Sequence, residues 1–131
     1  MEPLNCVVRL SDGGCEIWNG EQFHTGDQAA VAADLGLKPE QVTIHQLYAG
    51  GSFGRRAQTT AELAVEMAEA AKAIGPNKPV KLVWTRDDDL RHDYLHTVSV
   101  ERIEAALDAK GMPQAWRHRT AAPTIASRWR W

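Results

Sequence analysis

The chain's 131 residues and 14.5 kDa suffice for one domain and exclude two full ones, since single cores run to about 100–200 residues. Fifteen Lys and Arg against seventeen Asp and Glu leave a net charge of −2, which excludes the strong positive field of a general nucleic-acid binder. With 44% hydrophobic residues the chain can build a core without staples, and no apolar run reaches the roughly 18–20 residues of a membrane span. No basic-then-apolar leader opens it, so a reducing cytoplasm is the expected compartment. Cys6 and Cys15 are expected there as buried free thiols, a hairpin-spanning disulfide being the alternative.

Asn5 to Leu10 alternates apolar and polar, Ser11-Asp12-Gly13-Gly14 supplies turn chemistry, and Cys15 to Trp18 resumes the extended pattern, which predicts a β-hairpin. Thr25-Gly26-Asp27-Gln28 has the spacing of a capping box and opens a predicted helix that stops at Gly36. After a Lys38-Pro39-Glu40 turn, Val42, Ile44, Gln46 and Tyr48 share one face of a period-two segment, predicting a buried strand. Thr59-Thr60-Ala61-Glu62 suggests a second capping box, with Leu63, Met67, Ala70, Ala71 and Ile74 on one stripe of the helix that follows. Val80 to Thr85 is a strong strand, so the first two-thirds reads ββαβαβ.

Beyond it the residue types are ambiguous. Glu101 to Ala109 has helical propensity, yet Val98 and Val100 alternate like a strand, and Lys110-Gly111-Met112-Pro113 reads as a turn before the alternating Ala115 to Thr120. Both a helix and a hairpin fit. The end, residues 124–131, is expected to be a flexible or partner-docked tail on a single domain spanning 1–131.

The sharpest local feature is Gly50-Gly51-Ser52-Phe53-Gly54, set between a predicted strand and helix. Its glycines allow close approach of backbone to a ligand, and its N–H groups suit an anionic or oxo ligand, reinforced by Arg55 and Arg56. The spacing is not G-x-G-x-x-G and no Gly-Lys-Ser/Thr follows, so dinucleotide and P-loop readings fail. On residues alone a plain strand-to-helix turn competes with a binding loop, and Phe53 reads equally as a core plug beneath the glycines. Ser52 lacks the Gly-x-Ser-x-Gly context of a nucleophile.

Ala49 to Arg56, taken with Met1-Glu2-Pro3-Leu4-Asn5-Cys6, Gln22 and the run Lys81 to Asp89, resembles the cofactor-binding subunit of molybdenum hydroxylases. Within that class it is similar to the isoquinoline 1-oxidoreductase and aldehyde oxidoreductase type β subunits, cousins of xanthine dehydrogenase. The resemblance implies an α+β fold, a mixed or antiparallel sheet with two helices packed on it, and strand at Glu101 to Ala109. It also implies a molybdopterin-type molybdenum cofactor bound by Gln22, Gly50, Gly51, Ser52, Phe53, Gly54 and Arg55. Gln22 would donate to an oxygen on the metal, which an amide does without adding charge.

The chemistry implied is hydroxylation of an N-heterocycle or aldehyde, with electrons leaving through an iron–sulfur partner. Ala57 stands where the purine-oxidising branch carries a carboxylate, which disfavours purines. No Gly-x-Gly-Glu motif supplies the family's general base, and the Met1-Glu2-Pro3 start matches an internal segment, so the chain reads as one excerpted domain, not catalytically complete alone. The alternative is a stand-alone, non-enzymatic binding or oligomerisation module with the same fold.

His92 and His96 stand at i and i+4, a spacing compatible with metal ligation, but a surface or capping segment accounts for them more simply. Asp87 to Asp89 reads as an acidic helix start or a solvated turn. Arg117-His118-Arg119 and Arg128-Trp129-Arg130-Trp131 set cations beside aromatics; such surface is expected to be covered by complementary segments or to drive self-association.

Overall fold

The computed structural model describes residues 2–94 and 96–124. The chain divides into two compact units, Met1–Tyr94 and Leu95–Trp131. Apart from Thr124, the expected tail lies outside the described residues. Among the described residues no helix is long and apolar enough to cross a membrane.

In the first unit, strands β1 (Asn5–Ser11) and β2 (Gly14–Asn19) form the expected hairpin, with Val8 opposite Ile17 and Leu10 opposite Cys15. Helix α1 (His24–Leu35) then carries the chain to β3 (Val42–Gln46), which pairs parallel to β2. Helix α2 (Glu62–Ile74) leads to β4 (Pro79–Val83), antiparallel to β1, giving a mixed sheet in the order β3-β2-β1-β4. This is the α+β architecture expected, in the ββαβαβ order. A seven-residue helix, α3 (Arg86–His92), adds to the two expected; Thr85 caps it by accepting from Asp88 N–H at 3.2 Å, and Asp87 to Asp89 occupy its first turn.

Strand alternation sends Cys6, Val8, Cys15 and Ile17 to one face of the sheet, where Val31 and Ala32 of α1 and Leu63, Ala64, Met67, Ala68 and Ala71 of α2 cover them. Fully burying a Val, Ile or Met contributes about 1.5–3 kcal/mol each, so this layer dominates the unit's stability. Both cysteines are free and buried there. Burial, with the charge of Glu21 behind it, pushes the Cys6 thiol up to about 12, and burial and Glu16 raise Cys15 to about 11, so neither is a thiolate at neutral pH.

Three local expectations give way. Helix α1 starts at His24 with Phe23 as N-cap and α2 starts after Ala61, in neither case with a side-chain cap, so neither threonine box forms. Thr25 is drawn into the first turn, because burial of Asp27 and Val31 at i and i+4 sets where α1 begins. β3 is an edge strand; only Val42 is buried, and Tyr48 lies beyond its end, fully exposed. The stop at Gly36 is as expected: its φ of 68° is left-handed, the conformation glycine adopts at least cost.

The second unit holds β5 (Val100–Leu107) and β6 (Pro113–Ala121), an antiparallel hairpin in which Ile103 faces His118 and Ala105 faces Trp116. The strand reading of Glu101 onward is correct to Leu107. At Asp108 the chain turns instead: its carboxylate accepts from Lys110 N–H at 2.8 Å and Met112 N–H at 2.9 Å, closing a tight connection that helix propensity cannot oppose.

Candidate functional site

The glycine loop leaves β3 at the sheet edge and runs to the start of α2. Gln22, at the exit of β2, reaches it: Gln22 Oε1 accepts from Gly54 N–H at 3.0 Å. Two residues singled out 32 positions apart are thus in contact. Holding the amide by its oxygen leaves the NH2 group as the free end, and among the described residues nothing accepts from it.

The loop is shaped by positive φ at Gly51 (89°), Phe53 (51°) and Gly54 (94°). A bulky residue in that region is strained, and Phe53 is 73% exposed, so the core-plug reading is wrong: the ring lies on the exposed side of the loop with its edge over Gly51, where a Cβ would meet Phe53 Cε2 at 2.8 Å. Beside Gly54 a Cβ would enter open space, whereas at Gly50 it would meet the Glu2 carboxylate at 2.9 Å. Among the described residues nothing accepts from the N–H groups of Gly51, Ser52 and Phe53. Ser52 is buried and its Oγ lacks a partner. Free donors, an orphaned hydroxyl and open space beside a glycine are what a bound polar group would fill.

The two arginines face the scaffold. Arg55 is buried among Glu62, Asp93, Trp84 and Tyr94: it pairs with Glu62, its Nε lies 2.8 Å from Asp93 Oδ1 off the hydrogen-bond axis, and its guanidinium is 5.2 Å from the Tyr94 ring centre. Arg56 donates to Glu2 Oε1 at 3.1 Å and to the Asn5 carbonyl at 3.3 Å. Glu2 N–H in turn donates to the Gly50 carbonyl at 3.1 Å, so the segment before β1 clasps the loop. The loop therefore offers neutral donors, with both its cations already paired.

Beneath it lies a buried acid cluster that the sequence reading missed. Asp27, 2% exposed, sits against Glu21, and Asn19 Nδ2 donates to Glu21 Oε1. Burial first, then Glu21, pushes the Asp27 carboxyl up to about 9, so it is a neutral acid at pH 7 despite its place in the first turn of a helix. A cavity of about 20 Å³, enough for one water, is lined by both acids and by Arg55 and Arg56. The available signal was the position of Asp27 four residues before Val31, on the stripe of α1 that meets the core. His92 Nδ1 lies 2.9 Å from the Asp88 carbonyl, and among the described residues no three His, Cys, Asp or Glu side chains converge on a metal site.

Comparison with known proteins gives the family and the fold. A family model described as "Molybdopterin cofactor-binding domain" matches residues 1–127. The isoquinoline 1-oxidoreductase subunit beta of Brevundimonas diminuta is 38% identical over 98% of the chain, and the membrane-bound aldehyde dehydrogenase [pyrroloquinoline-quinone] of Gluconacetobacter polyoxogenes 34% identical over 93%. The chain spans 16% and 15% of those proteins. The structure of quinoline 2-oxidoreductase from Pseudomonas putida 86 shares the fold, with a TM-score of 0.65, 19% identity, and coverage of 92% of this chain and 15% of that one. With the family model running through both units and a relative above one-third identity along almost the whole length, the chain belongs to the molybdopterin cofactor-binding domain family.

Proposed function

We propose that this chain forms one wall of a molybdenum cofactor site that hydroxylates an N-heterocycle or an aldehyde, and that it acts only together with complementary segments. The observation that carries the reading is the Gln22–Gly54 contact, which fixes an amide NH2 beside three unpaired backbone N–H groups. When bound, the cofactor supplies the two-electron oxidation that hydroxylation of an electron-poor carbon requires. Gln22 presents a neutral donor to an oxygen of the group, and the N–H groups of Gly51, Ser52 and Phe53 add donors that need no reorganisation. The exposed Phe53 ring gives an apolar wall that excludes water from one side. The missing Gly-x-Gly-Glu motif and the small share of each relative covered support a division of labour in which base and iron–sulfur electron acceptor come from elsewhere.

A relative that carries pyrroloquinoline quinone in its name raises that cofactor as a second reading. The first reading is supported by the family model over residues 1–127, whose description names molybdopterin.

The test is expression in a cofactor-competent host, with and without a candidate partner subunit, followed by molybdenum, pterin and quinone analysis. Molybdenum and pterin in stoichiometric amounts are expected with the partner present. Gly54→Val forces a β-branched residue to φ 94° and is expected to cut molybdenum content at least ~10-fold with circular dichroism unchanged. Unchanged content removes the loop from the site, and absence of molybdenum under every condition favours a non-enzymatic binding module.

A further inference from the structure

The second unit presents a problem that the cofactor reading does not touch. Every residue of β5 and β6 is exposed except Glu104, which is half-buried. A two-stranded ribbon is marginal in water, and three or more strands are generally needed for stability. Residues directly opposite share a face, so Ile103, Ala105 and Trp116 lie on one side and Arg102, Glu104, Arg117 and Arg119 on the other. The edge that continues the ribbon is therefore the question, and charge distinguishes the two candidates.

Strand β6 (Pro113–Ala121) has two arginines and a histidine and no acid, and its first residue cannot donate a ladder hydrogen bond. Pairing β6 with a second β6 concentrates like charge. Strand β5 carries both signs in a self-complementary order, Glu101-Arg102-Ile103-Glu104.

We propose that the chain pairs with a second copy of itself through the edge of β5 that no other strand occupies among the described residues, antiparallel about a twofold axis at Ile103, to build a four-stranded sheet in the order β6-β5-β5-β6. In that register Arg102 of each copy faces Glu104 of the other, Ile103 faces Ile103, and Val100 faces Ala106. Seven residues, Val100 to Ala106, are used, stopping short of the register irregularity at Ala106/Leu107. A twofold axis repeats each favourable pair, so one residue change acts twice. Within one copy Arg102 Nη2 already donates to Glu104 Oε1 at 2.8 Å, on the face where the cross-copy pairs form, so the charges are preplaced. Arg119 stands opposite Arg102 in the hairpin, and a Glu104 from the second copy would relieve that like-charge pair.

Sedimentation equilibrium of the full chain over a range of concentrations tests this, with dimer expected. Arg102→Glu and Glu104→Arg are each expected to weaken the dimer about tenfold or more, since each turns two attractive pairs repulsive. The double swap, R102E with E104R, restores the complement and is expected to recover dimer. Should a single change unfold the hairpin, register is read by crosslinking: Ile103→Cys is expected to form a disulfide-linked dimer under mild oxidation, whereas Ala105→Cys, which faces Glu101, is not. A wild-type chain monomeric at all concentrations overturns the proposal. So does a double swap that stays monomeric, or equal crosslinking at 103 and 105.

Discussion

The two units of this chain solve the problem of stability in opposite ways. Residues of the first bury a continuous layer of Val8, Ile17, Val31, Met67 and their neighbours between a four-stranded sheet and two helices. Those of the second hold a register of ladder pairs but bury almost nothing, and Trp116 is 64% exposed. One is stabilised by apolar area removed from water, the other by backbone pairing and a side-chain-closed turn. The contrast teaches that correct strand register and a stable core are separate achievements, and only the first unit has both.

The largest expected effect lies in the core of the first unit. Met67→Ala removes a side chain that is 1% exposed at the centre of the helix layer and is expected to cost about 2–5 kcal/mol in denaturant unfolding. A loss below 1 kcal/mol would erase the contrast between the units. Next is the buried acid. The Asp27 pKa is raised in the fold to about 9 from 3.8, so across that range the unfolded chain has lost a proton the folded one retains. Stability is present in full below pH 4 and falls as pH rises toward 9, by up to about 1.4 kcal/mol per pH unit. Asp27→Asn is expected to flatten that slope in a thermal-melt series, and an unchanged slope would assign the titration elsewhere. Smallest is Trp116→Ala in the hairpin. At concentrations where the chain is monomeric, it is expected to change the melting of the first unit by no more than a surface substitution does, within about 0.5 kcal/mol.

Much of this was legible in the residues, and the failures have a common cause. The β1–β2 hairpin, the Gly36 stop and the order of the first unit follow from period and turn chemistry, which are local. The capping boxes at Thr25 and Thr59 failed because helix starts answered to which side chains the core could take, a property of the sheet opposite. β3 looked buried because its apolar period is good, yet its place at the sheet edge is set by the pairing of β2 with β1. Periodicity alone left β5 undecided between helix and strand; the family resemblance resolved it, and the Asp108 turn explains it. The resemblance assigned Gln22 and Gly54 to one cofactor site, but their direct contact was not legible, since no short-range pattern joins them. The burial of Asp27 was legible from its place on the core-facing stripe of α1, but nothing in the sequence context of either carboxylate announces that Glu21 and Asp27 meet.

The clasp of Glu2 and Arg56 on the glycine loop carries a consequence for folding order. The Arg56 contacts to Asn5 and Glu2 span 51 and 54 positions of chain, so the entropy of closing that long loop precedes any return from it. The loop that would hold the cofactor is thus a product of the finished sheet rather than a seed for it. Pulse-labelled hydrogen exchange during refolding is expected to protect the Gly54 amide no earlier than that of Val8; earlier protection at Gly54 would reverse the order. A chain of this kind assembles its scaffold first and its ligand site last.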